Sequence, residues 1–265
     1  GADGQLGREL QLTCPAELAL HAMPRSVLDI TDFASIERAL DSAGARYVVN
    51  AAAYTAVDRA ETDVDAARAV NSTGPALLAK ACAARGVRLL HVSTDFVFDG
   101  AAGEPYRPES ATAPLGIYGQ TKRDGELAVL GSGADALIVR TGWVYSRHGS
   151  NFVKTMVRLM AERQRLTVVE DQVGTPTWAR GLAQVSWALL THPDAFGVYH
   201  WSDAGVCSWY DFAWAIREQC LERGILRTAA QIDPIPASDY PTPARRPPYS
   251  VLDKTTTRSL IGRTG

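Results

Sequence analysis

Apolar residues recur along the chain in two alternating patterns, one typical of buried strands and one typical of amphipathic helices. Short apolar runs cover residues 46–50, 88–94 and 136–140. Between them, residues 61–85 carry apolar side chains at helical spacing, and a second helix is predicted over residues 118–130. Strand and helix alternate at the spacing of βαβ units, which predicts an α/β fold with a doubly wound parallel sheet.

Further elements are predicted outside this central part. Residues 17–23 are predicted to form another strand, and Asp32 is a good N-cap for a helix with Phe33, Ile36 and Leu40 on one face. Beyond the central part, helices and strands are predicted at residues 151–163, 166–169, 179–190, 198–201 and 208–223.

The order of these elements predicts two domains. We expect a dinucleotide-binding domain of Rossmann type over residues 1–145. Residues 146–265 are expected to form mainly a substrate-binding lobe, with some segments returning to the main sheet. The chain opens on a glycine-rich turn without the strand that normally precedes one, so we expect further N-terminal residues before Gly1.

Composition is that of an ordinary globular protein. The 265 residues are 46% hydrophobic and 21% charged, and the formal net charge of −2 lacks the basic surplus of proteins that bind nucleic acid. No apolar run reaches the roughly 18 residues of a membrane span, and no signal-peptide pattern is present. The wide spacing of Cys14, Cys82, Cys207 and Cys220 argues against disulfides and a zinc site. We expect a cytoplasmic protein without nucleic-acid, membrane or metal partners, and nothing in the sequence specifies Mg²⁺.

The glycine-rich turn is a candidate phosphate site. Gly1, Gly4 and Gly7 have the spacing at which a backbone turns tightly and approaches a pyrophosphate, although an ordinary turn would also use glycine. About 20 residues further on, an NAD-preferring fold carries an acidic residue for the adenosine ribose. This chain has Pro24 and Arg25 there. Because arginine accommodates a 2′-phosphate, we expect NADPH at least to be accepted.

A tyrosine and a lysine spaced four residues apart are candidate catalytic groups. Tyr118 and Lys122 share one helix face, so the lysine ammonium is expected to approach the phenol and lower its pKa from about 10, as suits a general acid. The strand before them ends in Ser93 and Thr94, at the sheet edge where ligands bind. The alternatives are an exposed helix that happens to carry both residues and a chance hydroxyl at a strand end.

Small residues follow the strand that ends at Asn50. Ala51, Ala52 and Ala53 would let a flat ligand approach the backbone, although a tight strand-to-helix crossing requires the same residue type. On spacing alone, Asp29 is interpreted as a turn residue.

Together these residues resemble the extended short-chain dehydrogenase/reductase family. The glycine turn, the run of residues 50–53, Thr94 and the Tyr118/Lys122 pair occur in the expected order. Within that family the chain is most similar to the dTDP-4-dehydrorhamnose reductases along nearly its whole length, in residues 4–7, 28–32, 50–58, 93–100, 118–122, 140–145, 174–177 and 243–247.

The resemblance implies that NADPH or NADH reduces the C4 carbonyl of dTDP-4-dehydro-L-rhamnose, a nucleotide-sugar substrate, in dTDP-rhamnose biosynthesis. Tyr118 would donate the proton, Thr94 would hydrogen-bond the same oxygen, and Lys122 would hold the cofactor ribose. The implied cofactor-binding residues are Gly1, Gly4, Gln5, Leu6, Gly7, Asp29, Ile30, Ala52, Ala53, Thr55, Tyr118 and Lys122. The implied substrate-binding residues are Val57, Thr94, Asp95, Phe96 and Trp143. On local evidence alone, Trp143 would be an aromatic residue of the core. The resemblance is also compatible with a homodimer.

Three positions depart from the family pattern. Gly142 stands where serine is frequent, Phe96 where tyrosine is common, and Pro24 where an acidic residue often lies, which argues against strict NAD preference. Related dehydratases carry Asp-Glu after the threonine, whereas Asp95 is followed here by Phe96, so dehydration is not expected. Two alternatives stay open: a nucleotide-sugar epimerase that retains its cofactor, and a non-catalytic regulatory subunit like that of methionine adenosyltransferase.

Overall fold

The computed structural model describes residues 1–262, in which a four-stranded parallel sheet is flanked by helices. The helices are α1 (Gln5–Leu12), α2 (Phe33–Ala43), α3 (Val57–Ala60), α4 (Val64–Arg68), α5 (Gly74–Arg85), α6 (Ile117–Leu130), α7 (Phe152–Glu162), α8 (Ala179–Thr191), α9 (Trp209–Glu222) and α10 (Thr255–Ile261). The strands are β1 (Tyr47–Asn50), β2 (Arg88–Thr94), β3 (Ala136–Thr141), β4 (Val144–Tyr145), β5 (Arg165–Val169), β6 (Val173–Gly174), β7 (Thr177–Trp178), β8 (Gly197–His200), β9 (Cys207–Ser208) and β10 (Gln231–Ile235).

The main sheet has the strand order β1-β2-β3-β8, with every neighbouring pair parallel. Helices α1 and α8 pack on one face around Leu90 and Leu137. Helices α2, α5 and α6 pack on the other face around Leu89 and Ile138. Helices cover both faces, which is why most side chains of the central strands β2 and β3 are buried, and the predicted doubly wound sheet is confirmed.

A smaller group of elements lies in the second half of the chain. Strands β5 and β10 pair in parallel, and α7 and α9 pack with them around Met160 and Ile216. In contrast, β8 joins the main sheet beside β3. The division of the chain after Tyr145 stays a prediction. Within residues 1–262 no helix has the length and apolar character needed to cross a membrane.

The prediction of a strand at residues 17–23 is wrong. The segment has no regular structure, and a cavity of about 460 Å³ lies between it and β1. A strand exists only where its backbone N–H and C=O groups pair with a neighbouring strand. No such neighbour lies beside this segment in the described part of the chain, so its apolar residues do not produce a strand.

The long helix predicted at residues 61–85 is interrupted by a π-helical turn at Ala69–Thr73. Pro75 lacks the N–H group that would bond the carbonyl of Asn71, which breaks the helical ladder there. A Cβ added to Gly125 of α6 would lie 2.1 Å from that carbonyl oxygen. The glycine therefore lets α6, which carries Tyr118 and Lys122, pack closely against this turn.

Candidate active site

A cavity of about 730 Å³ lies at the carboxyl ends of β1, β2 and β3. Every residue predicted from the sequence to bind cofactor or substrate, or to act in catalysis, borders this cavity: Gly1, Gly4, Gln5, Leu6, Gly7, Asp29, Ile30, Ala52, Ala53, Thr55, Val57, Thr94, Asp95, Phe96, Tyr118, Lys122 and Trp143. The cavity also contacts Arg25. The chain fold thus brings residues from distant parts of the sequence to one place.

One end of the cavity is built by the glycine turn. A Cβ on Gly1 would lie 2.3 Å from the backbone carbon of Ala51, and one on Gly7 would lie 2.1 Å from the carbonyl oxygen of Gly1. Only glycine fits at these two positions. Helix α1 begins directly afterwards at Gln5, and the unpaired N–H groups of its first turn favour an anionic group such as a pyrophosphate. The residues present therefore fit the phosphates of a dinucleotide.

Arg25 and Asp29 lie at the same end. The Arg25 Nε is 3.4 Å from the Asp29 Oδ2, and the arginine side chain is 79% exposed. The backbone N–H and hydroxyl of Thr31 donate to Asp29 Oδ1 at 2.9 Å and 2.7 Å. These bonds lower the pKa of Asp29, with a smaller contribution from Arg25. The site thus has a hydrogen-bonded turn carboxylate beside an exposed guanidinium. Asp29 is therefore a turn residue, as interpreted from the sequence, and it also borders the cavity.

Thr94, Asp95 and Tyr118 meet at the other end. Thr94 ends β2, and its hydroxyl donates to Asp95 Oδ1 at 3.0 Å and lies close enough to the Tyr118 phenol to affect its pKa. The Phe96 ring meets the Tyr118 ring edge-on, with centroids 5.5 Å apart. A Cβ on Gly119 would lie 2.2 Å from the Phe96 carbonyl oxygen, so the start of α6 reaches this strand end only because residue 119 is glycine.

The pKa values at this end follow from burial. Burial raises the pKa of Tyr118 to about 12, and the Asp95 carboxylate adds to that rise, whereas the bond with Thr94 opposes it. The Lys122 Nζ lies beneath β2, where it donates to the Val92 carbonyl at 2.7 Å. Burial lowers the pKa of Lys122 to about 8, and Glu126 partly opposes this. The expectation that Lys122 lowers the phenol pKa is therefore wrong, because burial dominates and the Lys122 Nζ is bound to the Val92 carbonyl.

Asp95 is a fully buried carboxyl group at the cavity wall. Burial raises its pKa to about 6, opposed by hydrogen bonds with Ser250 and Thr94. A Cβ on Gly142 would lie 2.4 Å from the Asp95 Oδ2. The departure from serine at position 142 therefore makes room for this carboxyl group.

Trp143 is both a wall of the cavity and a packed aromatic. Its φ of 51° makes it the one non-glycine residue with a positive φ in the described chain. Its ring stacks on Trp209, and a Cβ on Gly174 would lie 2.7 Å from it. No local sequence pattern marks Trp209 or Ser250 as residues beside the site, although the Ser208 and Asp211 capping box marks where the helix of Trp209 begins. In residues 1–262, no three His, Cys, Asp or Glu side chains converge as a metal site requires.

Comparisons with known proteins agree with this geometry. A dTDP-4-dehydrorhamnose reductase from Burkholderia thailandensis is 41% identical over 272 residues, which cover 99% of this chain and 91% of that protein. A dTDP-4-keto-6-deoxy-D-glucose reductase from Streptomyces niveus is 41% identical over 254 residues, covering 95% of this chain and 86% of that protein. The crystal structure of a dTDP-4-dehydrorhamnose reductase from Bacillus anthracis in complex with NADP matches with a TM-score of 0.91 and 35% identity, covering 98% of this chain and 90% of that one.

The family resemblance and the Rossmann-type fold predicted from the sequence are both confirmed by these matches. The model of the family described as RmlD substrate binding domain matches residues 1–264. The chain therefore belongs to the RmlD substrate binding domain family, whose relatives include the dTDP-4-dehydrorhamnose reductases.

Proposed function

We propose that this chain reduces dTDP-4-dehydro-L-rhamnose to dTDP-L-rhamnose with NADPH or NADH, in dTDP-rhamnose biosynthesis. One observation carries the proposal: Thr94, Tyr118 and Lys122 border the same cavity as a glycine turn shaped for a dinucleotide. Relatives of similar length with the same printed activity support it. The bound nicotinamide supplies hydride to the C4 carbon, and the residues of this chain orient the two reactants and supply the proton.

Tyr118 is the proton donor in this proposal. A phenol whose pKa is about 12 is fully protonated at neutral pH, so the proton is available when the carbonyl oxygen becomes an alkoxide. The Thr94 hydroxyl lies beside the phenol; when it turns from Asp95 Oδ1, it donates its one hydrogen to the same oxygen and stabilises charge that develops during hydride transfer. Lys122 holds the cofactor ribose, and Thr55 lies where cofactor and sugar meet.

The remaining residues divide between the two ligands. The turn of Gly1, Gly4 and Gly7, with Gln5 and Leu6, binds the pyrophosphate. The adenosine half lies against Asp29 and Ile30, and the small side chains of Ala52 and Ala53 leave room for the flat cofactor. The sugar is bordered by Val57, Asp95, Phe96 and Trp143. Nucleotide sugars and NADPH are cytoplasmic metabolites, so the proposal includes a cytoplasmic location. It also includes a homodimer, which a measurement of the molar mass in solution tests.

The test is stoichiometric cofactor consumption by the purified protein. With dTDP-4-dehydrorhamnose, one NADPH or NADH is expected to be oxidised per sugar reduced. Tyr118→Phe is expected to lower kcat by roughly 10²–10⁴-fold while cofactor binding persists. Tyr240→Phe, which changes a 60% exposed tyrosine, is the control and should retain full activity.

Three results would contradict the proposal. Sugar conversion without net cofactor consumption would indicate an epimerase, and cofactor binding without turnover would indicate a regulatory protein. Full activity of Tyr118→Phe would remove the assigned acid. The name of the Streptomyces niveus relative makes dTDP-4-keto-6-deoxy-D-glucose a specific alternative substrate. A preference for that sugar nucleotide would keep the proposed reduction and change the assigned substrate.

A further inference from the structure

His91 lies beneath the cavity, between Asn50 of β1 and Lys122 of α6. All three residues are buried, with 0%, 3% and 1% of their surface exposed, respectively. Asn50 and His91 are paired across the two parallel strands. The Asn50 Nδ2 is 3.0 Å from His91 Nδ1, and the Lys122 Nζ is 3.3 Å from His91 Nε2. The three side chains therefore form one continuous polar chain in an otherwise apolar part of the sheet.

The orientation of the Asn50 amide decides which nitrogen of His91 carries the proton. The Asn50 Oδ1 accepts the N–H of Ala52 at 3.1 Å, so the amide NH₂ group faces His91. That NH₂ group can only donate, and His91 Nδ1 must therefore accept. Burial lowers the pKa of His91 well below its usual value, so the ring is neutral. A neutral imidazole with an unprotonated Nδ1 carries its proton on Nε2.

The His91 Nε2–H then points at Lys122. An N–H group cannot donate to an ammonium, which has no lone pair, but it can donate to an uncharged amine. The uncharged amine also retains a hydrogen for the Val92 carbonyl, 2.7 Å away. All hydrogen bonds of the chain are thus satisfied together only when Lys122 is uncharged.

We propose that Asn50 and His91 are positioning residues that act through Lys122: the Asn50 amide holds His91 as the Nε2–H tautomer, which favours the uncharged lysine in the cofactor-free protein. To charge Lys122, His91 must move its proton to Nδ1 and the Asn50 amide must turn away from Ala52. The protonation of Lys122 is therefore coupled to a tautomer change in the sheet. This coupling does not rest on the proposed function.

The other charged groups near Lys122 act in both directions. Glu126, one helical turn away, favours the ammonium, but its carboxylate is bound by Arg140 of β3 at 2.7 Å. Tyr118 lies on the same helix, and Asp95 lies beside Tyr118. Burial favours the uncharged amine, in the same direction as the His91 tautomer.

The first test reads the tautomer directly in the cofactor-free protein. Two-bond ¹H–¹⁵N NMR of histidine rings distinguishes Nδ1–H, Nε2–H and the imidazolium. We expect His91 to be neutral and protonated on Nε2 between about pH 5.5 and 8. His200 is an internal contrast, because its Nδ1 faces the Tyr106 carbonyl at 3.0 Å and should carry the proton there. A His91 ring protonated on Nδ1, or a charged ring, would overturn the proposal.

The second test measures the lysine. The chain has four lysines, Lys80, Lys122, Lys154 and Lys254, so their ¹³Cε signals can be followed separately through a pH titration. Asn50→Leu releases His91 Nδ1, and we expect the midpoint of Lys122 to move to higher pH by about one unit, a tenfold change in the ratio of ammonium to amine. Lys254 is the control, since it is also buried but is bound by Ser202 and the Asp203 carbonyl.

An unmoved Lys122 midpoint in folded Asn50→Leu would refute the coupling. If that variant does not fold, the wild-type tautomer decides alone. Neither measurement uses sugar or cofactor, so a failed reductase assay and a failed tautomer assignment are separate results.

Discussion

Trp143 and Trp209 stack face to face, with ring centroids 3.5 Å apart and planes 5° apart. Trp143 lies between β3 and β4 in a left-handed backbone conformation that costs a tryptophan free energy. Trp209 is the first residue of α9, where the Ser208 hydroxyl and the Asp211 carboxylate cap the helix reciprocally. A rigid helix start therefore holds the strained Trp143 against the cavity.

The first prediction is that Trp209→Leu weakens sugar binding and leaves cofactor binding unchanged. Aromatic pairs of this kind contribute about 0.5–1.5 kcal/mol beyond burial, so KM for the sugar nucleotide should rise roughly 2–10-fold. Trp214→Leu changes a 44% exposed tryptophan on the same helix and is the control. Steady-state kinetics with each substrate varied separately measure the effect. Equal KM values for both variants would show that the stack does not support the sugar site.

The second prediction concerns the space that Gly142 leaves for Asp95. An added Cβ would lie 2.4 Å from the Oδ2 of the buried Asp95 carboxylate, so the carboxylate would have to shift. Gly142→Ala should therefore destabilise the fold by about 1–3 kcal/mol, as overpacking does. Gly103→Ala is the matched control, because a Cβ at Gly103 meets nothing within 4 Å. Denaturant unfolding compares them, and equal midpoints would mean that Asp95 yields without cost.

The third prediction is a pH dependence caused by Asp95. Because burial raises its pKa to about 6, the folded protein binds more protons at this group than the unfolded chain does. Stability from this group is therefore present below pH ~4 and is lost as pH rises to 6. At pH 7 the buried carboxylate costs up to roughly 3 kcal/mol.

Asp95→Asn should remove that cost while retaining an acceptor for Thr94. We expect the variant to be more stable than the wild type at pH 7.5 and the difference to shrink at pH 4, as measured by denaturant unfolding at both values. Sugar turnover should fall, since Asp95 borders the sugar in the proposed site. A stability difference that is the same at both pH values would contradict the assignment.

The sheet and the site could be predicted from the sequence because their determinants are local. Strand β2 contains the apolar residues Leu89, Leu90 and Val92, and the glycine turn, the strand end at Thr94 and the Tyr118/Lys122 pair are each recognisable from a few neighbouring residues. The direction of the Lys122 ammonium could not be predicted, because it depends on His91 and the Val92 carbonyl of a different element.

The prediction of a strand at residues 17–23 is wrong for a similar reason, because it also depends on contacts with another part of the chain. A strand needs a partner at hydrogen-bonding distance, and a pattern of apolar residues carries no information about whether one is there. The Trp143 and Trp209 stack likewise joins positions 66 residues apart by chain fold alone.

The fourth prediction concerns cofactor choice. The exposed Arg25 side chain can turn from Asp29 towards a 2′-phosphate, whereas the Asp29 carboxylate repels one. Arg25→Ala should raise the dissociation constant for NADPH roughly 3–10-fold and leave that for NADH nearly unchanged, since an exposed ion pair contributes about 1 kcal/mol. Fluorescence titration with both cofactors measures this, with Arg38→Ala, an exposed arginine on α2, as the control. An equal loss for NADH would mean that Arg25 does not distinguish the two.

The fifth prediction concerns Arg140 and Glu126, which join β3 to α6 by a buried ion pair. The Arg140 Nη2 is 2.7 Å from Glu126 Oε2 and the Nε is 2.9 Å from Oε1, with both side chains almost inaccessible to water. Arg140→Leu leaves the Glu126 carboxylate buried without its partner, which should cost about 3–5 kcal/mol of stability.

Replacing both partners distinguishes the contribution of the ion pair to stability from that of side-chain packing. The double variant Arg140→Leu with Glu126→Met should recover most of the loss, because no unpaired charge stays buried. Arg158→Leu is the control: its bond to Glu162 is also 2.7 Å long, but both side chains are more than half exposed, so the cost should be below about 1 kcal/mol. Denaturant unfolding at neutral pH measures all three. If Arg140→Leu were as stable as Arg158→Leu, water or another side chain would have to reach the Glu126 carboxylate. The packing of α6 on the sheet would then not exclude water from this ion pair.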